Sequence, residues 1–176
     1  MTLINSLITI SALSLLSFSA LGSDCRPAAK DVAILKEIRP KFHTVEGALA
    51  EFDPCHRSVK LQKPFFSDKP PLMIVVHGGG GIDTATKNAS EAFKSMGFAI
   101  LVFDAFELNG FYQGISFWSS QASNEARQRM IFKATLGAYE WALTQKDVNR
   151  NRIYFHGLSN GAIVLGKLCK SPPNLC

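Results

Sequence analysis

Three short runs rich in apolar residues alternate with helical patterns from residue 72 onward. The runs are LMIVV at 72–76, FAILVF at 98–103 and RIYFH at 152–156. Apolar residues recur at helical spacing between them, and a further helix is expected to begin at Asn160. This alternation predicts the α/β class, with a mainly parallel sheet, right-handed crossovers and a three-layer α/β/α arrangement.

Chemically distinctive residues follow each of these three strands. HGGGG (77–81) follows the first strand, Asp104 the second and Ser159 the third. Because sites in parallel sheets lie beyond the carboxyl ends of the strands, we expect these segments to meet in one site.

The helices between the strands have predictable faces. The first helix covers 84–96 and ends at Gly97; the second runs from Ser123 to about Thr144. We expect the buried face of the first helix to consist of Ala85, Ala89, Ala92, Phe93 and Met96. Residues 104–120 are interpreted as a long loop rich in glycine and aromatic residues.

The amino-terminal third of the chain divides into a leader and a lead-in. Residues 1–22 carry no charged side chain and contain an apolar run of signal-peptide length, with small residues at Ala20 and Gly22. We expect cleavage after Gly22 and a secreted or periplasmic protein without stable membrane association; an uncleaved anchor is the alternative.

Residues 23–56 are interpreted as an irregular lead-in with a short helix within 27–40. The alternation in RSVKLQKP then predicts a strand at the start of a domain over 57–176.

Four cysteines follow the leader, at Cys25, Cys55, Cys169 and Cys176. An exported chain favours disulfides, and loop-closure entropy favours near neighbours among the three possible pairings. We therefore predict Cys25–Cys55 and Cys169–Cys176, and leave open that some cysteines are free or pair otherwise. No CxxC spacing or Cys/His cluster indicates a metal site.

The charge pattern gives little support for a nucleic-acid partner. The net charge is +5, but the basic residues are scattered and form no block with interleaved aromatic residues. We expect no nucleic-acid binding.

The segment FHGLSNGA (155–162) is typical of a nucleophilic serine presented between a strand and a helix. Side chains at the two flanking positions would collide, so both must be glycine, as they are at Gly157 and Gly161. Ser159 is then expected in a strained conformation with its hydroxyl above the sheet. The alternative is a serine that merely caps the helix.

The glycine run 77–81 adds a second, independent indication. Bare glycine backbone lets amide N–H groups face a developing oxyanion. A dinucleotide-binding loop is disfavoured because Asp83 stands where the third glycine would fall, and no GK[ST] ending indicates a phosphate loop. A merely flexible turn is the remaining alternative.

These segments together resemble the amino-terminal half of an α/β-hydrolase, most like the dienelactone hydrolase family. The matching stretches, between about Pro71 and Ala162, are PLMIVVHGGGG, MGFAILVFDAFELNG and TLGAYEWALTQKDVNRNRIYFHGLSNGA. The resemblance implies a hydrolase acting on a small ester or lactone through an acyl-serine intermediate, with no metal or organic cofactor. Dienelactone hydrolases proper, as distinct from their exported relatives, carry Cys at the nucleophile position, so serine here favours ordinary ester hydrolysis.

The resemblance also assigns residue roles. Ser159 would be the nucleophile. The N–H group of Asn160 and one from Gly79 or Gly80 would form the oxyanion hole. The substrate cleft would be bordered by His77, Asp104 and Phe106.

The acid and base that such a serine needs are not evident. No Asp, Glu or His follows Ser159, and the four histidines are His43, His56, His77 and His156. We expect the chain to be truncated before both partners and the carboxyl-terminal strands, and weakly active at best. The alternatives are a non-catalytic ligand- or partner-binding remnant and a peptidase fragment of the prolyl oligopeptidase type.

Overall fold

A computed structural model describes residues 50–110 and 124–170. Within these ranges the strands are β1 (Val59–Gln62), β2 (Pro71–Val76), β3 (Ala99–Phe103) and β4 (Asn149–Gly157). These four strands form one mixed sheet in the order β1-β3-β2-β4. Strand β1 is antiparallel to β3, and the β2–β3 and β2–β4 pairs are parallel.

Four helices accompany the strands in the described ranges, and side-chain caps set the start of two of them. Asp83 accepts a hydrogen bond from the Thr86 N–H, and this bond lowers the pKa of the Asp83 carboxyl. The helices are α1 (Thr84–Ser95), α2 (Ala105–Leu108), α3 (Asn124–Ala142) and α4 (Asn160–Cys169).

Both faces of the sheet carry a hydrophobic cluster, so the α/β class predicted from the sequence is confirmed. The larger cluster joins Leu72, Ile74 and Val76 of β2 to residues of α3 and α4. The smaller cluster joins Met73 and Val75 to α1 on the opposite face. Strands β2 and β3 are consequently almost fully buried, as their continuous apolar runs indicate.

The buried face of α1 differs from the predicted one. Met96 is 68% exposed, and Ala85 and Ala92 are also exposed. Thr86 and Ser90 are buried in their place. Their hydroxyls donate to the Asp83 carboxylate and to the Thr86 carbonyl oxygen, so burial leaves neither hydroxyl unpaired.

The stretch after β3 contains a helical turn where a loop was predicted. Asp104 begins α2 by accepting hydrogen bonds from the N–H groups of Phe106 and Glu107. The signal peptide, the short helix within 27–40 and the leader boundary at residue 22 lie outside the described residues.

The strand order reverses at β2, since β3 is added on one side of it and β4 on the other. The helix after β2, α1, covers one face of the sheet, and the helix after β4, α4, covers the other face. Strands β2 and β4 are parallel neighbours, so the connections that leave their carboxyl ends start side by side and run to opposite faces. Sites in open α/β sheets form at such positions. HGGGG (77–81) and Ser159 lie at these two strand ends.

Candidate active site

Ser159 has a strained backbone. Its φ is 50° and its ψ is −116°, and it has the one positive φ among the described residues other than glycine. Such a conformation costs on the order of 1–3 kcal/mol and recurs at functional sites. The side chain is exposed and makes no hydrogen bond within the described ranges, so the hydroxyl faces outward, as the motif predicts.

The flanking glycines are sterically required. A Cβ on Gly157 would lie 2.7 Å from the Ala162 nitrogen. A Cβ on Gly161 would lie 2.4 Å from the carbonyl oxygen of Val76. Both contacts are with backbone, which cannot rotate away, so the predicted reason for glycine at these two positions is confirmed.

The glycine loop after β2 lies against this serine turn. A Cβ on Gly78 would be 3.4 Å from the Ser159 Cβ, and one on Gly79 would be 2.8 Å from the Asn160 Nδ2. The loop closes through the Gly81 N–H, which donates to the Gly78 carbonyl oxygen at 3.3 Å. The fold therefore brings together the two segments predicted to form the oxyanion hole.

Three backbone N–H groups at this junction have no acceptor in the described part of the protein. They belong to Gly79, Gly80 and Asn160, the residues singled out in the sequence as oxyanion-hole candidates. The Asn160 N–H is also at the start of α4, where the helix dipole favours negative charge. These groups could donate to a carbonyl oxygen that becomes negatively charged.

Gly81 lies in the loop after β2, in contact with the Asp104 carboxylate. Its φ is +80°, and a Cβ there would be 2.8 Å from the Asp104 Oδ2. The same carboxylate oxygen accepts a hydrogen bond from the Ile82 N–H at 3.3 Å. Asp104 therefore joins the loop after β2 to the loop after β3.

His77 makes a second connection between the same two loops. The Ala105 N–H donates to the His77 Nε2 at 2.9 Å, so this nitrogen is unprotonated. The Nδ1 then carries the proton and donates to the Gly78 carbonyl oxygen at 2.6 Å. Burial lowers the pKa of His77, although the nearby Asp104 carboxylate opposes this effect.

The three residues predicted to border the cleft all lie close together beneath the loops. The His77 and Phe106 rings pack with centroids 4.8 Å apart, and both side chains are buried together with that of Asp104. Their contacts hold the loops in place. A border with substrate remains a prediction.

None of the histidines in the described ranges hydrogen-bonds to Ser159. His77 has both ring nitrogens engaged, and His156 packs on Phe93 with ring centroids 5.0 Å apart. The His56 Nδ1 is 2.7 Å from the Ser58 Oγ, beside β1 at the opposite edge of the sheet from β4. His43 lies outside the described residues.

Two residues at the site were not expected from the sequence. The Asn160 Nδ2 donates to the Asn124 Oδ1 at 2.8 Å, and the Asn160 Oδ1 accepts from the Gln128 Nε2 at 3.4 Å. Asn124 and Gln128 stand four apart, a spacing that places both on one face of a helix. The spacing in the sequence could have shown that these two residues share a helix face. It could not have shown that this face packs against Asn160.

Two of the four cysteines lie in the described ranges. Neither Cys55 nor Cys169 is a free thiol. Their predicted partners, Cys25 and Cys176, lie outside the described residues, so the pairing stays a prediction. The described ranges contain no cluster of three or more His, Cys, Asp or Glu side chains that could bind a metal ion.

No helix within residues 50–110 and 124–170 combines the length and the apolar character needed to cross a membrane. Neither a scan against protein-family models nor a search of curated proteins finds a match to this chain.

Proposed function

We propose that the protein is an exported serine hydrolase of the dienelactone hydrolase type, with an α/β-hydrolase fold, that cleaves small carboxylic esters or lactones. Ser159 is the nucleophile, and the N–H groups of Asn160 and of Gly79 or Gly80 form the oxyanion hole. No metal or organic cofactor takes part in this chemistry.

The conformation of Ser159 carries this proposal. A serine that only caps a helix adopts ordinary extended backbone and accepts a hydrogen bond from the first helical turn. Ser159 does neither, since its φ is 50° and its side chain makes no cap hydrogen bond. Strain at an exposed hydroxyl, between glycines that tolerate no side chain, supports a catalytic role.

The proposed reaction has two stages. The Ser159 Oγ attacks the ester carbonyl carbon and its proton passes to a general base, while the carbonyl oxygen becomes an oxyanion held by the N–H groups. The carbon–oxygen bond to the leaving group breaks, that oxygen takes the proton and an acyl-serine remains. Water then attacks the acyl carbon, releasing the carboxylic acid and restoring the hydroxyl.

The general base is proposed to come from outside the described residues. His77 cannot serve without breaking its bond from Ala105, and His56 and His156 contact other groups. Without a base, the oxyanion hole and binding alone supply a residual rate of about 10³–10⁴ over water in a well-studied case. We therefore expect slow turnover by any form of the protein in which no base reaches Ser159.

A fluorophosphonate probe followed by peptide mass spectrometry tests the proposal. Ser159 should become phosphonylated with loss of fluoride, and Ser159→Ala should remove that labelled site. Ser95→Ala is the matched control, because Ser95 is an exposed serine of α1 that donates to the Ala92 carbonyl oxygen. Labelling spread equally over exposed serines would contradict a nucleophilic Ser159.

A non-catalytic binding role is the second candidate. It is favoured by one observation, the absence of a hydrogen bond between Ser159 and any histidine of the described ranges. Complete absence of labelling at Ser159, in protein that remains folded, would support this candidate over the hydrolase.

A further inference from the structure

A chain of hydrogen bonds leads from the surface to Asn160, the residue after the proposed nucleophile. The Lys167 Nζ donates to the Gln128 Oε1 at 2.6 Å, and the Gln128 Nε2 donates to the Asn160 Oδ1 at 3.4 Å. The Asn160 Nδ2 then donates to the Asn124 Oδ1 at 2.8 Å. We call these four residues the amide relay.

The relay has one direction because its first member can only donate. An ammonium group has three donors and no acceptor, so Lys167 requires the oxygen of Gln128 to face it. The nitrogen of Gln128 must then face Asn160, and the oxygen of Asn160 must face Gln128. Each amide orientation follows from the one before it.

The direction of the relay decides which atom of Asn160 lies beside the glycine loop. A Cβ on Gly79 would be 2.8 Å from the Asn160 Nδ2, so the nitrogen side of the amide lies against Gly79. Asn160 is 8% exposed, so water does not screen this contact effectively. The Nδ2 has two hydrogens, and the bond to Asn124 uses one of them.

We propose that Lys167 and Gln128 are positioning residues that hold the Asn160 amide with its nitrogen toward the oxyanion hole. The hole is then bordered by a side-chain N–H dipole in addition to the backbone N–H groups of Asn160 and of Gly79 or Gly80. This inference rests on the proposed function of Ser159.

The electrostatic consequence follows from the sign of the dipole. An N–H group fixed beside the oxyanion stabilises its negative charge, whereas a carbonyl oxygen in the same place repels it. Because the relay fixes the amide before substrate arrives, no reorientation is needed during the reaction.

Gln128→Glu is expected to reverse the relay while preserving its number of hydrogen bonds. A carboxylate accepts from Lys167 and also from Asn160, so the Asn160 amide must turn its nitrogen toward residue 128. The Asn124 amide turns as well and donates to the Asn160 oxygen. That oxygen then lies against Gly79, and the fold keeps its contacts.

Nuclear Overhauser measurements on the intact chain test the orientation independently of chemistry. In the unmodified protein the Asn160 side-chain NH₂ should show a cross-peak to the Gly79 Hα protons. In Gln128→Glu this cross-peak should weaken, and one to the side chain at position 128 should strengthen. Absence of the Gly79 cross-peak in the unmodified protein would overturn the inference.

Labelling of Ser159 by the fluorophosphonate probe tests the consequence. Gln128→Glu should lower the labelling rate by about tenfold or more, with an unchanged melting temperature, because loss of one oxyanion donor costs about 10²–10³ in rate. Lys133→Met is the control, since it changes the net charge by the same amount on the same helix, and it should label at the unmodified rate.

The two proposals fail in different ways. If Gln128→Glu turns the amide but labels as fast as the control, this inference is wrong and the proposed function stands. If Ser159 in the unmodified protein is not labelled at all, the proposed function and the role assigned to the relay both fail, and the cross-peaks still decide the amide orientation.

Discussion

Gly161 and Gly166 lie in the same helix, α4, but in opposite surroundings. A Cβ on Gly161 would be 2.4 Å from the Val76 carbonyl oxygen, whereas one on Gly166 would have no atom within 4 Å. We expect Gly161→Ala to lower the free energy of unfolding by more than about 3 kcal/mol, because backbone must move to admit the methyl group.

Gly166→Ala is the matched control and should have the opposite sign. It places alanine in an open, exposed helical position, which should raise the free energy of unfolding by about 0.5–1 kcal/mol. Chemical denaturation of both variants measures the difference. Equal effects would mean that the close approach of α4 to β2 is not as described.

The positive φ of Ser159 should lower the free energy of unfolding of the protein. We expect Ser159→Gly to be about 1 kcal/mol more stable than Ser159→Ala, because glycine relieves the positive φ that alanine retains. Thermal unfolding of the two variants provides the comparison, and both lack the hydroxyl. If Ser159→Ala is the more stable of the two, the backbone at this position is not strained.

At the level of single residues, the sequence predicted the need for glycine correctly where that need arises from the local geometry of the chain. The requirement for glycine at Gly157 and Gly161 follows from the turn itself. The requirement at Gly81 does not, because it arises from Asp104, a side chain 23 positions further along the chain. Asn124 and Gln128 were missed for the same reason, since their partner belongs to another helix.

At the level of elements, the apolar runs predicted three strands and the burial of β2 and β3, whereas no residue of β4 is fully buried. The alternation at 57–64 correctly predicted β1, but not that it pairs antiparallel with β3 at the edge of the sheet. The position of helix α1 along the chain was predicted correctly, but the face that it buries was predicted wrongly. Its buried positions are hydroxyl residues with internal hydrogen bonds, which a hydrophobic pattern cannot detect.

His77 should make the connection between the loops after β2 and β3 sensitive to acid. Burial holds its pKa below the ordinary value of 6.5, so below that pH the unfolded chain binds a proton that the folded chain does not. Stability should therefore fall as the pH drops from 6.5 toward the folded pKa, by at most about 1.4 kcal/mol per pH unit.

Urea denaturation between pH 5 and pH 8 can isolate this contribution. We expect His77→Gln to be less stable than the unmodified protein at pH 8, because it disturbs the bonds to Gly78 and Ala105. Its stability should nevertheless change less between pH 6.5 and pH 5. An unchanged slope in this interval would show that His77 does not cause it.

At the scale of the whole molecule, the predicted disulfides are expected to fasten each end of the domain to its neighbouring segment. Non-reducing peptide mapping should recover Cys25 linked to Cys55 and Cys169 linked to Cys176. Alkylation of all four thiols in protein that has not been reduced would contradict this, and a Cys25–Cys169 peptide would contradict the pairing alone.

The complete candidate site could be predicted only in part, because it depends on contacts between segments that are distant in the sequence. The strand ends at 77–81 and Ser159 could be assigned to one site because parallel strands share their carboxyl edge. The position of the proposed general base could not be predicted, because a base reaches such a serine through tertiary contacts and not through a local sequence pattern.

The proximity of Gly161 to β2 has a mechanical consequence. The Leu158 N–H donates to the Val76 carbonyl oxygen at 3.0 Å, and Gly161 rests on the same oxygen. The glycine loop begins directly after Val76. Ser159 and the proposed oxyanion donors are thus both anchored to a single peptide unit at the end of β2. We expect thermal vibration to displace them in concert, leaving the gap between them nearly constant.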